Sequence, residues 1–267
     1  MTPLADFLAT VAAKTRERVE TQKQKLSFER LEAKLKDARP HRGFQKAIHR
    51  PGAITIIAEL KQASPSAGVI RQEPDIPSRL QAYERGGAAA LSIVTEEDYF
   101  HGSPHLLEEA REHSSLPLLR KDFIVDSYQI IESKTLGADA ILLIAPLLPG
   151  GLLAEFIALA RSAGLETLVE VHDAADLERA VLVQAPVIGI NNRNLRTLRV
   201  DRAVGAKLLA LAPKKGVTLV VESGIQTPDE LPHLRTLGAH AVLIGETFMR
   251  AEDPESLVKE FSHVCLK

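Results

Sequence analysis

The sequence is almost without cysteine: Cys265 is the only one in 267 residues. One thiol forms no intramolecular disulfide and builds no cysteine cluster for zinc or iron–sulfur, so a reducing, cytoplasmic compartment is expected. A surplus of one charge is also missing. The 33 Lys and Arg against 35 Asp and Glu leave a formal charge of −2, without the basic excess by which a duplex-binding protein displaces counterions. No apolar run approaches the roughly 18–20 residues of a membrane span. The opening Met1-Thr2-Pro3-Leu4-Ala5-Asp6-Phe7 lacks an apolar signal core. Nucleic acid and membrane are therefore set aside as partners.

What is present is an ordinary globular composition, 45% apolar and 25% charged, long enough to bury a continuous core without staples. Residues 1–50 stand apart as mixed-charge helical sequence. Leu4, Phe7, Leu8, Val11 and Ala12 recur at the spacing of one apolar helix face, and Leu31 with Leu35 continues it. One or two amphipathic helices lying on a larger body are expected, their charges a solvated face rather than a nucleic-acid arm.

Beyond residue 50 the pattern changes to short apolar runs separated by helical stretches. They are Ile54 to Ala58, Ala90 to Val94, Leu116 to Leu119, Ala140 to Ile144, Thr167 to Val171, Val187 to Ile190, Thr218 to Val221 and Ala241 to Ile244. Near-continuous β-branched runs suit strands buried on both faces of a parallel sheet, and about 27 residues per run is the length of one βα module. A weak repeat, Gly87-Ala88-Ala89-Ala90, Gly137-Ala138-Asp139-Ala140 and Gly238-Ala239-His240-Ala241, precedes three of the runs. A glycine there can take the left-handed conformation that ends a helix. The expected architecture is one domain, 1–267: an α/β fold, a (β/α)8 TIM barrel over 51–267 with the helical extension 1–50 packed on it. An open doubly wound sheet is the alternative, and it lacks a dinucleotide glycine fingerprint.

In such a barrel chemistry is placed at the C-terminal ends of the strands, and these ends are polar. Glu59 and Lys61 lie two residues apart and so point the same way. Thr95-Glu96 follows the second run, Arg120-Lys121-Asp122 the third, Asn191-Asn192-Arg193 the sixth and Glu222-Ser223-Gly224 the seventh. Glu170 sits inside the apolar Leu168-Val169-Glu170-Val171, where an unpaired carboxylate would be costly. It requires a partner, with Lys61 or Lys121 across the mouth the candidates, either as an acid–base pair or as a structural ion pair. Gly224 and Gly245-Glu246 follow the seventh and eighth runs, a common place for a phosphate cradle. Tyr99-Phe100 and Phe123 suit either gripping an aromatic ring or packing under a loop. Ser64-Pro65-Ser66-Ala67-Gly68 reads as a lid or a surface loop. His101-Gly-Ser-Pro-His105 lacks the helical spacing of a zinc pair.

Taken in order, Ala58-Glu59-Leu60-Lys61 with Ser64-Pro65-Ser66, Thr95-Glu96 with Tyr99-Phe100, Leu119 to Ile124, Leu168-Val169-Glu170-Val171-His172, Gly189 to Leu195 and Val221-Glu222-Ser223-Gly224-Ile225 resemble the indole-3-glycerol phosphate synthase family of tryptophan biosynthesis. The resemblance runs the whole length. It implies closure of 1-(2-carboxyphenylamino)-1-deoxyribulose 5-phosphate to an indole with loss of CO2 and water, and no metal or organic cofactor. It implies Lys121 as general acid in ring closure, with Glu170 and Lys61 in dehydration. Glu59 and Asn191 would orient the lysines and substrate hydroxyls, and Glu222 with Ser223 would complete the polar network. Arg193 would lie near the anthranilate ring. Gly224, Gly245 and Glu246 with Ser64 would hold phosphate, and Phe100, Phe123, Leu142 and Leu195 would wall the ring.

Gln62 and Ala67 depart from the lysine-rich loop of many relatives, which bears on substrate affinity. A sister barrel such as phosphoribosylanthranilate isomerase needs an acid–base pair for an Amadori rearrangement rather than two lysines with a buried glutamate. A non-catalytic barrel predicts an eroded strand end, and none is seen. The expected partner is a small phosphosugar–anthranilate molecule. A monomer is the working expectation, with non-covalent association with pathway enzymes left open.

Overall fold

Each apolar run becomes a strand because β-branched side chains fit a pleated surface covered on both faces. The strands are β1 (Thr55–Leu60), β2 (Ala90–Val94), β3 (Leu118–Lys121), β4 (Ala140–Ile144), β5 (Glu166–Val171), β6 (Val187–Asn191), β7 (Thr218–Glu222) and β8 (Ala241–Ile244). They pair in parallel, each with the next, and β8 closes on β1 from Thr55↔Ala241 to Ala58↔Ile244. Closure rules out the open sheet. The structure, a computed structural model, describes residues 7–73, 75–195 and 197–265. Leu4 and the rest of Met1 to Asp6 lie outside the described residues, as does the Cys265 side chain.

Among the described residues, α1 (Phe7–Lys25), α2 (Phe28–Glu32) and α3 (Phe44–Ile48) precede the barrel, with a 3-10 segment at Ala33–Asp37. This is more segmented than the expected one or two helices. Ser27 starts α2 afresh by accepting from Arg30 N–H, and Gly43, at φ 68°, turns the chain before α3. The crossover helices are α4 (Ile76–Arg85), α5 (Pro104–His113), α6 (Ser127–Thr135), α7 (Leu152–Ser162), α8 (Ala174–Leu182), α9 (Arg202–Leu211) and α10 (Leu231–Leu237), followed by α11 (Glu246–Arg250) and α12 (Pro254–Cys265). No helix among the described residues is long and apolar enough to cross a membrane. Strand β3 begins two residues later than the sequence suggests, because Pro117 has no N–H to give the ladder.

Alternation along each strand divides the core in two. Ile56, Ala58, Leu143, Val169, Ile188 and Leu219 point outward into the layer beneath the helices. Ile57, Ala90, Leu119, Leu142, Leu168, Val187, Val220 and Leu243 fill the barrel interior, where Phe44 and Ile48 of α3 close the lower end. The three repeat glycines take φ values of 96°, 93° and 104°, the left-handed turn expected of them. The third position of the repeat has a further use, since Asp139 and His240 stand at the lower rim where the extension docks. His240 stacks on His49 with ring centroids 4.3 Å apart.

Asp139 is fully buried and accepts from the N–H groups of Arg42 and Leu118, at 2.8 and 2.9 Å, and from Arg111 Nη1 at 3.1 and 3.0 Å. Arg42 in turn donates to the carbonyls of Ser114 and Leu116. One carboxylate thus ties the extension to β3, β4 and α5. Asp139→Ala would strand the Arg111 charge in the interior, with an expected loss of about 3–5 kcal/mol in urea unfolding. Amide exchange should accelerate first across residues 38–48; unchanged protection there would mean that apolar contact alone holds the extension.

Candidate active site

The same alternation aims the charges. In β1, Thr55, Ile57 and Glu59 share the inward parity; in β3, Leu119 and Lys121; in β5, Leu168 and Glu170; in β6, Val187, Gly189 and Asn191; in β7, Val220 and Glu222. Above Thr55, the inward positions below the rim (Ile57, Leu119, Leu168, Val187, Val220) are apolar and pack the barrel, while the uppermost inward position of these strands is polar. Arg120 has the opposite parity and is buried outside the barrel, where Asp122 (3.1 Å), Glu132 (2.8 Å) and Thr95 satisfy it. Of the Arg120-Lys121-Asp122 run, only Lys121 reaches the centre of the mouth.

Lys121 Nζ lies 2.6 Å from Glu222 Oε2, 3.3 Å from Glu170 Oε2 and 4.0 Å from Glu59 Oε2. Lys61 Nζ lies 2.9 Å from Glu59 Oε1, and Ser92 donates to Glu59 Oε2. Glu170 therefore finds Lys121, not Lys61, as its partner. Burial disfavours every charge here, and the balance differs from group to group. Burial would lower the Lys121 ammonium, but Glu222, Glu170 and Glu59 outweigh it and raise it. Burial would raise Glu170 and Glu59, yet Lys61 with Lys121 holds Glu59, and Lys121 with His172 holds Glu170, below the usual carboxylate range. Glu222 goes the other way: burial, reinforced by the Glu170 charge, pushes it up to about 7 against the pull of Lys121. Two neighbouring carboxylates with divergent proton affinities are what acid–base chemistry near neutral pH requires.

These groups floor a cavity of about 810 Å³ whose lining includes every residue that the resemblance implies for the site. Lys121, Glu170, Lys61, Glu59, Asn191, Glu222 and Ser223 form its polar base. Phe100, Phe123, Leu142 and Leu195 form an apolar side, with Phe100 and Phe123 ring centroids 6.2 Å apart. Tyr99 instead packs on Phe7 at 5.2 Å beneath the loop. Arg193 bridges the mouth, donating to Ser66 Oγ (3.0 Å) and the Leu198 carbonyl (2.8 Å). Ser64, Gly224, Gly245 and Glu246 line the opposite end, where Ser223 and Gly224 turn through consecutive positive φ angles of 67° and 82°. Ser64 pairs with Gly68 in a short hairpin. Glu96 also lines the cavity but is occupied as a cap, accepting from the N–H groups of Asp98, Tyr99 and Phe100. His105 is 90% exposed and meets Glu108, away from any convergent set of ligands.

Three features carry no weight in the sequence reading. Phe7 of α1 joins the cavity wall. Gly189 makes room for the cluster, since a Cβ there would lie 2.2 Å from Glu222 Oε1 and 2.5 Å from a Leu168 methyl. His172 stands 3.0 Å from Glu170. Its signal was available, because Glu170-x-His172 repeats the spacing of Glu59-x-Lys61.

Fold and site together define a class: a (β/α)8 barrel with acid–base machinery at the C-terminal rim of its strands. The family model described as indole-3-glycerol phosphate synthase matches residues 8–261. A protein of that name from Carboxydothermus hydrogenoformans is 44% identical over 254 residues, covering 93% of this chain and 96% of its own. Another from Paracidovorax citrulli is 44% identical over 268 residues, covering 97% and 100%. The solved structure of 3-hexulose-6-phosphate synthase from Salmonella typhimurium matches with a TM-score of 0.64 at 15% identity, over 80% of this chain and 99% of that one; this likeness carries the fold alone. The chain belongs to the indole-3-glycerol phosphate synthase family.

Gly189→Ala tests the packing of the cluster directly. Overpacking should cost about 1–3 kcal/mol in urea unfolding and displace the Glu222 carboxylate. A variant as stable as the parent would show that the strand yields without disturbing it.

Proposed function

We propose that this chain is an indole-3-glycerol phosphate synthase: it closes 1-(2-carboxyphenylamino)-1-deoxyribulose 5-phosphate to indole-3-glycerol phosphate, releasing CO2 and water. The observation that carries the reading is Lys121 held among Glu59, Glu170 and Glu222 in one cavity, in a chain of this family. The ring carbon bearing the carboxylate attacks the ketone carbon, and Lys121 Nζ gives its proton to the ketone oxygen as the new C–C bond forms. The carboxylate then leaves as CO2, its bonding pair restoring the aromatic ring. In the second stage the new hydroxyl departs as water with a proton from Lys61, and Glu170 accepts the proton the ring gives up.

The remaining residues hold the substrate for these steps. Glu59 and Asn191 orient the lysines and the hydroxyls, and Glu222 with Ser223 completes the polar floor. Ser64 and the turns at Gly224 and Gly245-Glu246 take the phosphate. Phe100, Phe123, Leu142 and Leu195 enclose the aromatic ring, with Arg193 beside it. All of these groups belong to the chain itself, and the reaction needs no redox change, so we assign it no cofactor. The partner is the small phosphosugar, with neither nucleic acid nor membrane involved, and the single thiol fits a cytoplasmic enzyme.

Turnover followed by indole fluorescence in the presence of chelator checks the reading. Lys121→Ala and Glu170→Gln should each lower kcat by at least about 100-fold, the share of a lost general acid or base. Undiminished turnover in Lys121→Ala would remove the general-acid role, and a wild-type protein without turnover would remove the function.

A further inference from the structure

Glu170 has a neighbour that the mechanism above leaves unused. His172 Nε2 lies 3.0 Å from Glu170 Oε1, while Glu170 Oε2 faces Lys121 at 3.3 Å. His172 Nδ1 lies 3.8 Å from Asp176 Oδ2. Asp176 is fixed in place: Oδ2 accepts from the backbone N–H of His172 at 3.2 Å, and the backbone N–H of Asp176 donates to the helix-capping Asp173 at 2.9 Å. The His172 side chain is only 12% exposed, and its buried ring nitrogens meet no group at hydrogen-bonding geometry, so these two carboxylates are what they face. The imidazole lies behind the cavity wall, not on it.

The other side of Lys121 is built differently. Glu222 Oε2 takes the lysine at 2.6 Å, but Oε1 is buried without a partner. Of the two carboxylates nearest the ammonium, only Glu170 has an imidazole behind it.

We propose that His172, as an imidazolium, is a positioning residue that turns Glu170 Oε2 toward Lys121 and keeps Glu170 the anion of the pair, leaving Glu222 to carry the proton the cluster shares. Glu170 is then ready as the base, and the cluster is asymmetric before substrate arrives. The groups facing the imidazole are Glu170 from β5 and Asp176 from α8. Behind them stand Lys121 from β3, Asp173 at the start of α8, and Arg179, 3.9 Å from Asp176 Oδ1. Burial opposes the imidazolium, but Asp176 and Glu170 overcome it and raise His172 to about 9. The charge therefore persists through neutral pH.

The inference rests on the reaction proposed above for its use of Glu170 as base, so its test has an arm independent of turnover. Ring 15N NMR should find His172 doubly protonated at about pH 7.5, with its midpoint moved down in Glu170→Gln. In turnover, His172→Gln should lower kcat about 10- to 100-fold, the usual cost of removing a group behind a site residue, with KM held within about twofold. The acid limb of its kcat profile should move to higher pH, because Glu170 now protonates more easily, and raising the pH should recover part of the rate. Asp176→Asn should shift the limb the same way by less. A neutral ring at about pH 7.5, a folded His172→Gln with wild-type kcat and pH profile, or a rise in KM alone would each overturn the proposal. Absence of wild-type turnover would remove the reaction and leave the ring titration to decide the assignment.

Discussion

One buried ammonium organises this protein's upper half. Lys121 Nζ stands among three inward carboxylates, and neither it nor they could remain charged there alone, because desolvation of an isolated buried ion far exceeds what the fold could supply. Their mutual attraction makes the arrangement tolerable and also makes it chemically useful. Lys61 and Lys121 depress Glu59, and Lys121 depresses Glu170, while Glu222 stays high, so proton donors and acceptors coexist within hydrogen-bonding distance. Glycines at 189 and 245 accommodate the cluster, since a Cβ at either would run into Glu222 or Glu59.

The two rims of the barrel divide the work. At the lower rim Asp139, Glu166, Thr218 and His240 receive residues 41–49 of the extension, and α3 plugs the interior with Phe44 and Ile48. Asp139 is fully partnered there, which suits a structural role. At the upper rim the cavity is open to substrate, and Glu222 Oε1 and the His172 ring nitrogens are left short of hydrogen-bond partners.

The barrel was legible because its signal is a period: runs of β-branched residues about 27 apart leave few other ways to bury themselves. The strand ends were less legible. Glu59, Lys121, Asn191 and Glu222 read as loop residues by hydropathy, yet each extends its strand, because an inward side chain at the rim meets other polar groups instead of oil. Pairing partners were beyond reach, since Lys61 and Lys121 are equally placed for Glu170 on paper and only the barrel's curvature gives it to Lys121. Gly189 reads as one more residue in an apolar run, and its need appears only with Glu222 beside it. Leu31 and Leu35 announced a helix face, but the break at Ser27 rests on a capping bond that hydrophobic spacing does not encode.

In the proposed arrangement the proton of the cluster resides on Glu222, with Glu59 and Glu170 ionised. Carboxyl 13C NMR of the glutamate-labelled protein, assigned with Glu222→Gln, measures this directly. One cavity carboxyl should titrate near pH 7 and be lost in Glu222→Gln, while Glu59 and Glu170 stay anionic from about pH 5 to 9. Three carboxylates ionised throughout that range, or a neutral titration that survives Glu222→Gln, would contradict it.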